Sequence, residues 1–154
     1  MSMRKRMLHD RIWESDQFAV LTIKERLLFI ALITGADDEG CFRADPKHLR
    51  RKAFYGDRVS VNQVQKMLDH LQEVGLVVLG VTKKGMAGLH PNWWDYQSLR
   101  RDRSKPSKYS DLLVANGLTP RFTIAAQDKR TEDKQSEYNL VKESEDLGFE
   151  SLFS

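Results

Sequence analysis

Basic side chains gather in a few places along this sequence: Lys47, Arg50, Arg51 and Lys52; Lys83 and Lys84; and Arg100, Arg101, Arg103, Lys105 and Lys108. Ammonium and guanidinium groups grouped in this way can displace the counterions of a phosphate backbone, so binding would be firm at low salt and fall steeply as salt rises. Two amides, Asn62 and Gln63, precede Lys66 by about one helical turn. Amide side chains pair in bidentate fashion with adenine, and a lysine suits guanine or phosphate, so these three form a candidate set for contacting base edges in a groove. The candidate DNA-binding residues are therefore Arg50, Arg51, Lys52, Asn62, Gln63, Lys66, Lys83, Lys84, Arg100, Arg101, Arg103 and Lys105. Each charge taken singly is an ordinary solvated side chain, and the reading rests on their clustering.

Other reactive types lack partners at useful spacing. His9, His48, His70 and His90 show no metal-ligand pattern, and Cys41 has no base beside it in sequence. The run Asp37-Asp38-Glu39-Gly40 lacks the alternating ligands and closing glutamate of an EF-hand and reads as a turn. No glycine-rich loop is present to cradle a phosphate. No catalytic residue, metal or cofactor is expected, and the chain reads as a binding protein rather than an enzyme. Trp93, Trp94 and Tyr96 could stack on bases, although closing the base of the domain after its last strand is the preferred role.

The elements that must position these residues follow from local signals. Trp13 and Phe18 are expected to anchor a short N-terminal helix on the core. Thr22-Ile-Lys-Glu25 is a capping box opening a helix to about Thr34 that is apolar almost all round and should be central to the core. Asp45-Pro46 places an N-cap before proline at the first helical position and starts a short basic helix. Ser60-Val-Asn-Gln63 is a second capping box, with Val59 and Val64 as a hydrophobic staple. On this third helix Val61, Val64, Met67, Leu68, Leu71 and Val74 share one arc, and Asn62, Lys66, Asp69 and Glu73 face away. The acids at 69 and 73 would be repelled by phosphates, so only the first half of the helix is expected to enter a groove. Gly75 ends the helix, Leu76 to Thr82 and Met86 to His90 read as paired strands around Lys83-Lys84-Gly85, and Cys41-Phe42 reads as a short strand. Helix, helix, helix and β-hairpin is the winged helix-turn-helix plan. The expected fold class is mainly α with a small β-hairpin (α+β), with the winged-helix domain over residues 1–97, a basic linker over 98–108, and a short helix near Ser110 to Gly117 within a mostly disordered acidic tail over 109–154.

Composition sets outer limits. The 154 residues are 40% hydrophobic and 31% charged, with net charge +3. That charge is uneven: from Asp128 onward eight acids face four bases, a net −4, so residues 1–127 carry +7. A basic body followed by an acidic arm suits a polyanion binder. No run approaches the roughly 18 apolar residues of a membrane helix, and Met-Ser-Met-Arg-Lys-Arg is followed by no signal-peptide h-region. With one cysteine, no internal disulfide is possible, and the cytoplasm of a bacterial host is the expected setting.

The ordered series Arg4-Lys-Arg-Met7, Ile12-Trp-Glu-Ser15, Glu25-Arg-Leu-Leu-Phe29, Ala36-Asp-Asp-Glu-Gly40, Phe42-Arg-Ala-Asp-Pro46 and His90-Pro-Asn-Trp93, continuing to Arg103-Ser-Lys-Pro-Ser-Lys108, resembles the N-terminal domain of phage replication-initiation proteins, the replisome organisers similar to DnaD-type primosomal proteins. The resemblance implies a winged helix that binds origin or single-stranded DNA and self-associates. Tyr96 stands where the family pattern suggests histidine, and a sizeable second helical domain is lacking, so helicase loading does not carry over. At the C-terminus, Phe149-Glu-Ser-Leu-Phe153 keeps the Ser-Leu-Phe end of sliding-clamp-binding peptides without their glutamine. Leu147, Phe149, Leu152 and Phe153 are the candidate partner-binding residues, for a replication protein such as the clamp or helicase. Two other uses of the domain are open: a transcriptional regulator, or a protein-interaction or oligomerisation module that binds no DNA.

Overall fold

Helix starts in the computed structural model, which describes residues 4–122, follow the capping signals closely. A 3-10 turn (Asp10–Glu14) leads into α1 (Asp16–Ala19), whose N-cap Ser15 accepts from the Phe18 N–H. Next, α2 (Ile23–Thr34) opens with the full reciprocal box, Glu25 N–H to Thr22 Oγ1 at 3.2 Å and Thr22 N–H to Glu25 Oε1 at 2.9 Å. After β1 (Cys41–Arg43), α3 (Pro46–Ala53) starts at Pro46 with Asp45 accepting from the Lys47 N–H. The second box opens α4 (Val61–Glu73), with Gln63 N–H to Ser60 Oγ at 3.1 Å and Ser60 N–H to Gln63 Oε1 at 2.8 Å. Gly75, at φ +86°, turns the chain out of α4 while the Leu76 N–H donates back to the Leu71 carbonyl.

Two strands then form a hairpin, β2 (Val78–Thr82) and β3 (Gly85–Leu89). The sheet order is β1-β3-β2, antiparallel throughout, with Cys41 and Val78 both opposite Leu89 and Thr82 opposite Gly85. Lys83 and Lys84 alone make the turn, and Gly85 takes the φ of +107° that a side chain would resist. Beyond the sheet lie α5 (Trp93–Tyr96), a second 3-10 turn (Arg101–Arg103) and α6 (Ser110–Ala115). The whole is α+β, helices packed with one small sheet.

The main core joins Phe18, Leu28, Phe29, Leu32, Leu49, Phe54, Val64, Leu68 and Leu71, so α2, α3 and α4 share one interior with the buried staple Val59–Val64. A second, smaller core joins Cys41, Ala87 and Leu89 of the sheet to Tyr109, Leu112 and Leu113. Gly80 permits this approach, because a Cβ there would lie 2.5 Å from Leu112 Cδ1. Among the described residues no helix is long and apolar enough to cross a membrane.

Several expectations change. Trp13 is 68% exposed, leaning edge-on to Phe18, which alone of the pair is buried. Although α2 is apolar all round, Ile23 (83% exposed) and Leu27 stand in solvent, because α3, α4 and the sheet cover only the Leu28, Phe29 and Leu32 side. The first hairpin strand begins at Val78 and the returning strand ends at Leu89, one to two residues short of the expected limits. Ser110 is the first residue of α6 rather than its cap; Tyr109 holds the cap position without a side-chain hydrogen bond.

The largest difference concerns residues 98–108. Read from sequence as an extended linker, they fold back onto the Asp37–Gly40 turn: the Lys105 N–H donates to Asp38 (2.9 Å), the Ser107 N–H to Glu39 (3.2 Å) and the Ser107 hydroxyl to Asp37 (2.5 Å). Carboxylates buried in that turn need donors, and a polar segment supplies them from its backbone.

Candidate nucleic-acid interface

Because Leu49 faces inward on α3, Lys47, Arg50 and Arg51 point to solvent. With Tyr55, Gly56, Asp57, Phe54 and Val61 they line a cleft of about 370 Å³ between α3 and the start of α4. Two of the candidate arginines and the N-terminal end of α4, 10 residues or more apart in sequence, are thereby brought together. Lys52 is not part of it. Its ammonium occupies the space a side chain at Gly35 would need, over the C-terminal end of α2. A cation is favoured at that end of a helix, and burial holds the Lys52 ammonium below its ordinary pKa. Burial and the neighbouring Arg43 and Lys52 push the His48 imidazole below its ordinary pKa, which disfavours a further positive charge there.

On α4, Val64, Leu68 and Leu71 are buried, and Asn62, Gln63, Lys66, Asp69 and Glu73 are exposed, as the helical period requires. Gln63 carries a second duty. Its Oε1 completes the capping box, so bidentate pairing with adenine would have to share an oxygen that already accepts from the Ser60 N–H. Asn62 and Lys66 have no such commitment. Asp69 accepts from the Gln65 amide (2.9 Å).

Lys83 and Lys84 are exposed at the hairpin tip, where the Lys84 N–H is held by the Thr82 hydroxyl (3.2 Å). Arg100 is paired with Asp102 (3.4 Å), which offsets its charge. Arg101 and Arg103 bound the second 3-10 turn, and Arg103 and Lys105 have exposed side chains on the segment tied to the Asp37–Gly40 turn. Leu147, Phe149, Leu152 and Phe153 lie outside the described residues.

The aromatic trio serves the fold more than a surface. Trp93 is buried and donates its indole N–H to the Asp38 carbonyl (3.0 Å). Trp94 meets Phe122 edge-on and Arg121 over its ring at 4.2 Å, while Tyr96 remains partly exposed beside His9. Beneath them His90 is buried among Phe29, Phe42 and Trp93 with its Nε2 unpartnered among the described residues, and burial lowers its pKa to about 4.

Two features escaped the sequence reading. Tyr55, 88% exposed, stands at the edge of the basic cleft; an aromatic followed by Gly56-Asp57 between two helices was the available signal, since such loops lie at the surface. The acidic turn was legible as a turn but not as a hub. Asp38 pairs with Arg4 (3.1 Å) and Arg6 (2.9 Å), and Glu39 accepts from the N–H groups of Ser107, Arg121 and Phe122. Burial pushes the Asp37 carboxyl up, against hydrogen bonds from Ser107, Cys41 and Glu39 that pull it down. Among the described residues no group of three or more His, Cys, Asp or Glu side chains could hold a metal ion. No protein-family model, curated protein or solved structure matches the chain.

Proposed function

We propose that this chain is a winged-helix DNA-binding protein that assists phage-type DNA replication initiation in the cytoplasm of a bacterial host. The observation that carries the reading is the cleft that puts Arg50, Arg51 and Lys47 beside the start of α4, next to the exposed Asn62 and Lys66. Support for the winged helix comes from the order of three helices before the hairpin, from β1 pairing on the far side of β3, and from a two-residue turn tipped by lysines. In this reading the first half of α4 enters a groove, α3 and the hairpin tip hold phosphates, and the acidic end, through Leu147, Phe149, Leu152 and Phe153, recruits a replication protein. The replication assignment rests on the resemblance of residues 3–108 to phage replisome organisers.

Fluorescence anisotropy with random single- and double-stranded oligonucleotides across a salt series tests it. Binding at about 50 mM salt that weakens steeply with added salt is expected; no binding at that salt rejects the reading. Deleting residues 147–153 should leave DNA binding intact and abolish capture of purified clamp or helicase, and unchanged capture would remove the tail from the proposal.

A second reading, a protein-interaction module, is favoured by one observation. Val20, Ile23 and Leu27 form an exposed apolar stripe, at the i, i+4 spacing from Ile23 to Leu27, on a side of the molecule that the other helices leave uncovered.

A further inference from the structure

We propose that the cleft between α3 and α4 is a nucleotide subsite, in which Tyr55 stacks on an unpaired base while Arg50, Arg51 and Lys47 hold the adjoining phosphates. This rests on the DNA-binding reading above and adds to it a site distinct from the groove-entering face of α4.

The turn that makes the site is tight. Phe54 is buried at the end of α3, the Asp57 N–H donates to its carbonyl (3.0 Å), and Gly56 takes φ +84° to reverse the chain. Tyr55 is thus forced outward as Phe54 goes in. Its ring is 88% exposed and makes no ring or cation contact among the described residues, so its faces are open to a partner. An open aromatic face beside three cations offers stacking and charge together to a planar ligand that carries negative charge.

The cleft has the chemistry for such a ligand. At about 370 Å³ it lies at the small end of the roughly 300–1,000 Å³ typical of ligand sites. Lys47, Arg50 and Arg51 supply charge, and the N–H of Val61, in the first turn of the 13-residue α4, has no acceptor among the described residues. Donors of that kind join side-chain cations in holding phosphate. Asp57 is the one acid in the lining and works against the anion. Bases in a duplex already stack on both neighbours, so a single ring standing in solvent suits single-stranded DNA, where stacking on aromatics is tolerant of sequence.

The test uses the full chain and three labelled probes: oligothymidylate, an abasic strand of the same length, and a mixed-sequence duplex. Wild type should bind oligothymidylate more tightly than the abasic strand. Tyr55→Ala should weaken oligothymidylate binding about tenfold and erase that difference, with abasic and duplex affinity unchanged. Tyr55→Trp should retain it. Arg50→Ala with Arg51→Ala should weaken all three probes and lower the salt slope on single strands by roughly 0.7 for each phosphate no longer neutralised, and Asp57→Asn should tighten them. Oligothymidylate affinity unchanged by Tyr55→Ala, with DNA binding otherwise present, overturns the subsite while leaving the DNA-binding reading in place. Failure of wild type to bind any probe at low salt overturns both. The melting curve of Tyr55→Ala should match wild type, because the side chain it removes is 88% exposed.

Discussion

Gln63 and Asn62 adjoin in sequence but differ in what they can offer. Gln63 commits one lone pair of its amide oxygen to the Ser60 N–H, whereas the Asn62 side chain is exposed and makes no hydrogen bond among the described residues. Gln63→Ala should therefore cost about 1 kcal/mol of stability through the lost cap. Asn62→Ala with Lys66→Ala should leave melting within roughly 0.5 kcal/mol of wild type and weaken duplex binding; duplex affinity unchanged by that pair would remove α4 from the interface. His90 makes a sharper prediction. Its pKa falls to about 4 because burial disfavours the imidazolium, while an unfolded histidine titrates near 6.5. Between those values the unfolded chain binds more protons, so stability must drop as pH falls from about 6.5 and level off below about 4, by about 3 kcal/mol for this group. The raised Asp37 carboxyl acts in the opposite sense at low pH, so the comparison to make is with His90→Gln. The gap in urea-derived stability between wild type and His90→Gln should narrow by that amount from pH 7 to pH 4, and a constant gap would contradict the assignment. Cys41, whose thiol burial and the nearby Asp37 push up to about 12, should react with a thiol reagent only as fast as the protein unfolds.

Elements were legible in proportion to how local their causes are. The two capping boxes, the Asp45-Pro46 start and the Gly75 stop each act within four residues, and all four place helix ends where they were expected. The same carboxylate shows where that reach stops. Glu25 Oε1 caps α2, but Oε2 lies 2.5 Å from His70 Nδ1 on α4, a tie across 45 positions that no periodicity announces. Burial alone would raise the Glu25 carboxyl, yet the hydrogen bonds from the Thr22 backbone and from His70 outweigh it and hold the carboxyl below its usual range. A depressed carboxylate stabilises the fold above its unfolded pKa, and that stability disappears as pH falls through the lower folded value. Glu25→Gln should therefore destabilise at pH 7, with a loss that shrinks below about pH 4.5; a loss independent of pH would show that only the neutral cap matters. The exposed side of α2 was illegible for a related reason. Ile23 and Leu27 have the same apolar character as Leu28 and Leu32, and only the position of α3 and α4 separates inside from outside.

At the scale of the whole molecule, the Asp37–Gly40 turn binds both ends of the described chain. Arg4 and Arg6 reach Asp38 from one side; residues 105–122 reach Asp37, Asp38 and Glu39 from the other. Glu39→Ala would remove the carboxylate that accepts from three backbone N–H groups, at about 1–3 kcal/mol for each left buried without another acceptor. The cheaper response is for the segment to leave the sheet. Hydrogen exchange should then show protection lost over residues 105–122 and retained at Leu28, Leu68 and Leu71. Protection retained in both regions would mean that the second core, through Tyr109, Leu112 and Leu113, holds the segment without the turn.

Sequence alone determined where α2, α3 and α4 begin and end, which side of α4 turns inward, where the hairpin reverses, and that a basic body precedes an acidic arm, because each of these is decided by neighbours within about four positions or by composition. Only the tertiary structure decided that Arg50 and Arg51 share a cleft with the start of α4 while Lys52 turns away, that Tyr55 faces solvent, and that a polar stretch read as linker is bound to buried carboxylates. Those outcomes depend on which segments meet across tens of residues, and burial, the quantity that makes a charge or a ring costly to leave unpartnered, exists only once they have met.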